Sequence, residues 1–510
     1  MIAPASLLWF ARHETRLAWR DIMTMLQGGR SRRGAWAAFA VVIISILLHL
    51  IAYVVVAPNI QILEHPDKAT LVVTTGSAFL AWTLMLSQAI ESVTRSFYAR
   101  ADLDLILSSP APTSHLFIVR ISAIAVTTTA MAIVLIGPFI DVAAMLGGAK
   151  FLWAYALLVA MGSSATAFGA AATVLLFWVA GPKRTRLLAQ IFAAIIGAGF
   201  VIGIQAAAIL SYGSLSRIQL FRSPKWIAAA PDLDSPIWWP ALAATGDRGA
   251  LLPVLGVALA LLIMATLSTA KALAHNANTV ASLSRRAVAK QNLPADFRRR
   301  STAQALRRKE WMLLIRDPWL LSQSLMQLLY LLPPALLLWR NFSSESGHLI
   351  LVPIIVMAAG QLAGGLAWLT ISGEDAPDLI ATAPVKAATI LRAKIEAVMI
   401  AVALAIIPFA IGMAWASPLA SVAMIIGAGF AAGAAVAVQF FFRAQARRSY
   451  FRRRHTSSRI ATFAEAFTSI SIAGAAALAA AGFWLALVPT TIAALIVLGA
   501  RAAAPRTVHS

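Results

Sequence analysis

The chain has 510 residues, of which 60% are hydrophobic and 12% charged, and its mean hydropathy is +0.80. A soluble domain carries about 25% charged residues, and a single core stops growing beyond roughly 250–300 residues, so the surplus apolar surface must face lipid; soluble enzymes, DNA-binding proteins and disordered scaffolds are excluded. The formal charge of +22, from 42 Lys and Arg against 20 Asp and Glu, leaves two explanations: a polyanionic ligand, or a membrane topology with its basic residues on one side.

No cysteine is present, which excludes disulfides, thiolate zinc sites, iron–sulfur clusters and cysteine nucleophiles. Residues 4–26 mix Trp, Leu and Phe with Arg12, Glu14, Arg16, Arg20 and Asp21. That is not the pattern of a cleavable signal, which needs an uninterrupted apolar core after a basic start. The first long apolar run begins near Ala35.

A helix crosses the hydrocarbon core with about 20 apolar residues. In chain order, spans are expected at about 35–57, 70–94, 116–140, 151–180, 187–212 and 250–274, then at about 319–339, 349–372, 389–415, 418–442, 460–481 and 483–500. The last two come from one apolar stretch divided near Gly482. Twelve spans place both termini on one side. On that side lie 35 of the 42 basic residues; the other 7 are Lys68, Lys150, Arg217, Arg222, Lys225, Arg248 and Arg340. Positive charge collects on the cytoplasmic face, so both termini are expected in the cytoplasm of an inner-membrane protein, and +22 needs no nucleic acid. Gly199-x-x-x-Gly203, Gly360-x-x-x-Gly364 and Gly429-x-x-x-Gly433 are small-xxx-small patterns that suit close helix packing in lipid.

Self-similarity organises the chain. Residues 13–21 read HETRLAWRD and residues 309–317 read KEWMLLIRD; at an offset of 296, Glu14 falls on Glu310, Leu17 on Leu313, and Arg20-Asp21 on Arg316-Asp317. After the second span of each set, DLILSSPAPTSHLFIVR (104–120) aligns with DLIATAPVKAATILRAK (378–394) at an offset of 274. Asp104 then falls on Asp378, Pro110 on Pro384, and Arg120 on Lys394. The expected fold is therefore an all-α polytopic membrane protein of about 12 helices in two tandem six-helix repeats, related by an axis along the membrane normal. The expected organisation is a first half over 1–275, a basic cytoplasmic linker over 276–301, and a second half over 302–510.

Residues 5–26 and 302–317 are amphipathic, with Trp and Leu beside Arg, as in helices lying in the membrane interface. The repeated Glu14/Glu310 and Arg20/Arg316 fit either contact with a partner protein or a structural salt bridge. The loops at 98–115 and 373–388 carry Asp102, Asp104, Glu374, Asp375 and Asp378 against a basic inner surface, which suits either a basic partner or helix capping. Asp102-x-Asp104 is too short a pattern to indicate metal. The outer segment 213–249, with Trp226, Trp238, Trp239 and four prolines, fits a re-entrant hairpin or an interfacial loop. Among ionisable residues in the spans, His49, Glu91, Asp141, Glu396 and Glu465 are candidates for transport, although most sit near span ends, where capping or snorkelling also accounts for them. There is no G-x-x-x-x-G-K-[ST], no HExxH and no G-x-S-x-G, so no nucleotide hydrolysis, metalloprotease or serine-hydrolase chemistry is expected in this chain.

These parts together resemble a type-2 ABC exporter permease. RADLDLILSSPAPTSHLFIVR (100–120) is similar to the coupling region of bacterial members, and ALRRKEWMLLIRDPWLL (305–321) is similar to their interfacial elbow helix. The resemblance covers the chain in topology, but most members hold six spans and dimerise, whereas this chain holds two sets. It implies no cofactor in this chain, a cytosolic ABC ATPase subunit as partner, and ATP bound there. It further implies that Glu14, Arg20, Asp104, Pro110, Glu310, Arg316, Asp378 and Pro384 couple that ATPase to substrate movement. Two other readings remain open. One is a 12-span proton-coupled secondary transporter, which usually shows G-x-x-x-D-R-x-G-R between spans 2 and 3; here that place reads FYARADLDLILSSP. The other is an integral-membrane lipid-modifying enzyme, which needs a polar cluster at one membrane face.

Overall fold

The computed structural model describes residues 6–27, 32–98, 112–212, 223–289, 301–316, 329, 331–333, 336, 347–372, 382–442 and 459–504. Among them the regular structure is helical throughout, with no strand. The longer helices are α1 (Leu7–Gln27), α2 (Arg32–Val56), α3 (Lys68–Tyr98), α4 (Thr113–Gly147), α5 (Ala154–Tyr212), α6 (Arg248–Ala289), α7 (Thr302–Arg316), α8 (Gly347–Ser372), α9 (Ala387–Ala416), α10 (Pro418–Phe441), α11 (Arg459–Ala480) and α12 (Leu487–Ala503). In lipid every backbone N–H and C=O must be satisfied within the protein, which favours helices this long and apolar.

Eleven stretches among the described residues are long and apolar enough to cross a membrane, from Ser45–Glu64 to Trp484–Ala502. The chain is thus an all-α, multi-pass membrane protein. Each stretch coincides with an expected span; the twelfth, 319–339, lies largely outside the described residues. Large apolar side chains such as Val54, Val134, Leu175, Trp178, Leu404 and Phe430 point outward, as lipid-facing residues should.

Two breaks rest on glycine. Within α5, Gly181 adopts φ 69°, ψ 164°, a conformation open to a residue without Cβ. The Thr185 hydroxyl bridges the kink by bonding the carbonyls of Leu176 and Gly181 at 3.0 and 2.9 Å. At the end of α11, Gly482 has φ 76°, its N–H donates to Ala479 O at 3.0 Å, and the Phe483 N–H donates to Leu478 O at 2.9 Å. This pair of bonds is the Schellman arrangement that stops a helix at a left-handed residue. It divides the last apolar stretch at the expected glycine.

Two compact units account for the chain: Met1–Val201 with Arg217–Leu293, and Ile202–Ser216 with Pro294–Ser510. One division falls near 293, and α6 runs on to Ala289, so residues 276–289 are helical. In the first unit, Phe10 of α1 is fully buried among Val93 of α3, Leu116, Phe117 and Ile121 of α4, Ala170 and Phe177 of α5 and Ala270 of α6. Burying a phenylalanine stabilises by about 1.5–3 kcal/mol where water is displaced, so this side chain anchors α1 to the end of the bundle. In the second unit α8 is central. Val352, Ile355, Val356, Ala359 and Ala363 pack against Ala397, Val398 and Val402 of α9, Ala428 and Ala431 of α10 and Ala473 and Ala476 of α11.

The three small-xxx-small patterns behave differently. A Cβ added at Gly360 or Gly364 would collide with Ser469 or Glu465 of α11, so both glycines admit a neighbouring helix. Gly203, Gly429 and Gly433 meet open space, and Gly199 meets only Ile195 of its own helix. Close approaches also occur where no pattern flags them: a Cβ at Gly169 would lie 3.1 Å from the backbone nitrogen of Ile90.

In the outer segment, residues 223–247 form the helices Pro224–Ala229 and Trp239–Ala244 with a 3-10 turn at Pro236–Trp238. Each helix has 6 residues, or about 9 Å of length, and residues 213–222 of the segment lie outside the described residues. Trp238 is buried against Leu71 and Val72 at the start of α3, with its indole N–H on Asp232 O at 2.9 Å.

Candidate functional site

The amphipathic helix α1 turns Phe10 and Glu14, four residues apart, into the first unit. Leu8, Arg12, Arg16, Trp19 and Arg20 face out. A carboxylate buried in an apolar setting requires a counter-charge. Arg120, near the start of α4 and itself buried, supplies it: its Nε lies 3.4 Å from Glu14 Oε1. The same guanidinium donates from an Nη to the carbonyl oxygen of Ser96, close to the end of α3, also at 3.4 Å. One cation thus joins α1 to the end of α3 and the second turn of α4.

The second unit contains the same construction. Glu310 on α7 is fully buried, and Lys394, near the start of α9, approaches it at 3.1 Å on Oε1 and 3.2 Å on Oε2. Lys394 also donates to the carbonyl oxygen of Thr370, close to the end of α8, at 2.6 Å. In each unit the base follows its carbonyl partner by 24 positions. The offset that relates Arg120 to Lys394 also relates Ser96 to Thr370. The chemistry differs slightly: a planar guanidinium spans a wider gap in unit 1, and a compact ammonium sits closer in unit 2.

Unit 2 has two further contacts. Lys309 reaches Glu310 Oε1 at 3.1 Å. Arg307 grips Glu396 with two nitrogens, at 2.5 and 3.1 Å, from α7 to α9. The hydrogen bond and charge of Glu396 hold Arg307 charged beyond its ordinary range. The repeat places Ala11 and Ser122 at the corresponding positions of unit 1, so no such pair can form there. This pair is exposed, and exposed pairs contribute little. Arg307→Ala is accordingly expected to leave the thermal midpoint of the purified protein unchanged within error; a large drop would give this pair a role its exposure denies.

Of the residues tied by resemblance to ATPase coupling, Glu14 and Glu310 are the acids of these buried pairs. Arg20 is exposed on α1, and Pro384 is exposed in the bend before α9. Arg316 ends α7. Asp104, Pro110 and Asp378 lie outside the described residues, as do most of the two acidic loops. Each unit thus brings together the acid of its amphipathic helix, Glu14 or Glu310, and a base near the start of a later helix, Arg120 or Lys394. The carbonyls of Ser96 and Thr370 were not anticipated, because backbone acceptors leave no trace in residue identity.

The ionisable residues inside the spans also have partners. Glu91 pairs with Arg95 one turn on. Asp141 of α4 accepts from the Tyr155 hydroxyl of α5 at 2.7 Å and lies 3.4 Å from His49 Nε2 of α2. Glu465 of α11 takes the side-chain amide of Gln439 on α10, at 2.6 Å. Among the described residues no group of three or more His, Cys, Asp or Glu could hold a metal ion. Neither a family model nor a curated protein nor a solved structure matches the chain.

Proposed function

We propose that the chain is the membrane permease subunit of an ATP-driven ABC exporter, with two six-helix repeats and an interfacial elbow helix, α1 or α7, at the start of each. The observation that carries this reading is the duplicated junction of elbow acid, buried base and span-end carbonyl. In one unit it is Glu14, Arg120 and Ser96; in the other it is Glu310, Lys394 and Thr370. Its recurrence at repeat-related positions supports a duplication. Its placement, at the root of each acidic loop, suits a device that passes movement from a cytosolic protein into the spans.

In this reading the termini and both loops are cytoplasmic, as the basic asymmetry favours. A separate ATPase docks on the loops carrying Asp104, Pro110, Asp378 and Pro384, with Arg20 and Arg316 at the elbow ends. Glu14 and Glu310 do not touch the ATPase. They lock each elbow to its spans, so that a push on a loop moves the elbow, the end of one span and the start of the next as one body. ATP-driven closure of the ATPase pair then changes access to a path through the spans; no step of ATP chemistry occurs in this chain.

The test is purification from native membranes in mild detergent. A P-loop ATPase is expected to co-purify, and to be lost when Asp104 and Asp378 are both replaced by lysine while the permease remains folded. Substrate movement that proceeds without any bound ATPase and stops when the proton gradient is collapsed would favour a secondary transporter instead.

A further inference from the structure

We propose that Glu465, with Gln439 and the notch at Gly364, forms a proton-binding site in the second unit. Glu465 lies one turn inside the apolar stretch Ala461–Ala480 and turns inward instead of toward the membrane surface. Its carboxyl group occupies the space a side chain at position 364 would fill, so α8 carries glycine where the acid enters. Its described polar partner is the side-chain amide of Gln439, a neutral group, and not a cation.

An ionised carboxylate in such a place needs a neutralising charge. Among the described residues, the elements packed against α11 are α8, α10, α12 and the turn Trp484–Ala486. Their titratable residues are His348 on α8, about 24 Å along the helix from Gly364, and Arg501 on α12, which is exposed and makes no described ion pair with Glu465. On α11 itself Arg459 stands at the first position, before the apolar stretch. Magnesium and calcium ask for about six or more oxygen ligands, and the described residues bring two polar side chains together here. A proton is the small cation that this geometry accommodates.

The neutral amide suits that occupant. At 2.6 Å the Gln439 amide nitrogen is in direct hydrogen-bonding reach of the Glu465 carboxyl group. The Gln439 side-chain N–H donates to Glu465 Oε2, which in the protonated acid is the carbonyl oxygen. A further observation points the same way. One turn deeper, Ser469 is buried against Gly360 with no described hydrogen-bond partner, as is Thr468 beside it.

Gly364 precedes Thr370 by six residues, about 9 Å along α8, so the site lies under the Lys394 junction on the same helix. Proton release would leave a charge in the seam and loosen α11 from α8 there. This holds whichever energy source drives the protein.

Infrared difference spectroscopy of the purified chain in lipid nanodiscs, in H2O and D2O at neutral pH, tests the site. The wild type is expected to show a carboxylic-acid C=O band that Glu465→Gln loses and that Gln439→Leu shifts to higher frequency by removing its hydrogen-bond partner. Absence of the band in the wild type, or a band that survives Glu465→Gln, overturns the site; a band unmoved by Gln439→Leu overturns the pairing. If Glu465→Gln does not assemble, the presence of the wild-type band and its response to Gln439→Leu decide the question.

Discussion

Lys394→Met is expected to destabilise the second unit by about 3–5 kcal/mol, the cost of leaving a buried acid without its partner. Glu310 is fully buried, and among the described residues Lys309 also approaches one oxygen, from the adjacent position on the same helix. The Thr370 carbonyl loses its donor at the same time. Removing both charges should cost far less than removing one. The pair Glu310→Leu with Lys394→Met is therefore expected to regain most of the loss, because buried ion pairs replaced whole by apolar residues are often neutral. A thermal or denaturant cycle over the four proteins measures this. Additive losses would mean that Glu310 and Lys394 are not coupled, and the junction would lose its physical basis. The matching cycle over Glu14 and Arg120 should show smaller coupling, since that contact is longer.

Gly364→Leu is expected to be as damaging as any apolar substitution in the chain. A Cβ there already meets the Glu465 carboxyl group, and a full leucine would drive α11 off α8. Overpacking typically costs about 1–3 kcal/mol, and displacing a buried polar group adds to that. Gly433→Leu makes the control. It belongs to the same kind of pattern, but its Cβ would enter open space, so its midpoint should match the wild type. Equal effects at the two glycines would show that the α8–α11 seam is not the close contact described.

How far these features can be read without coordinates depends on what produces them. The spans follow from composition over about 20 residues, and eleven of them are found where hydropathy places them. Gly482 is legible because a left-handed stop strongly favours glycine. The pairing of Arg120 with Lys394 and of Glu14 with Glu310 is visible as sequence repetition. Their contact is not, because Glu14 and Arg120 are 106 residues apart and only the packing of α1 on α4 brings them together. Glycine patterns say that an approach is possible, and the partner helix decides whether it happens: Gly360 and Gly364 are used, while Gly429 and Gly433 are not. Glu465 and Gln439 belong to different spans, and no spacing rule joins them.

The proposed function requires a cytosolic ATPase to grip the acidic loops of this chain. Photocrosslinking from single positions in native membranes tests it most directly. A photoreactive residue at Pro384, exposed at the root of the second loop, is expected to yield an adduct with a P-loop ATPase. The same residue at Asp234, which the proposed topology puts outside the cytoplasm, is expected to yield none. An ATPase adduct absent from position 384, or equally abundant at 234, would contradict the account.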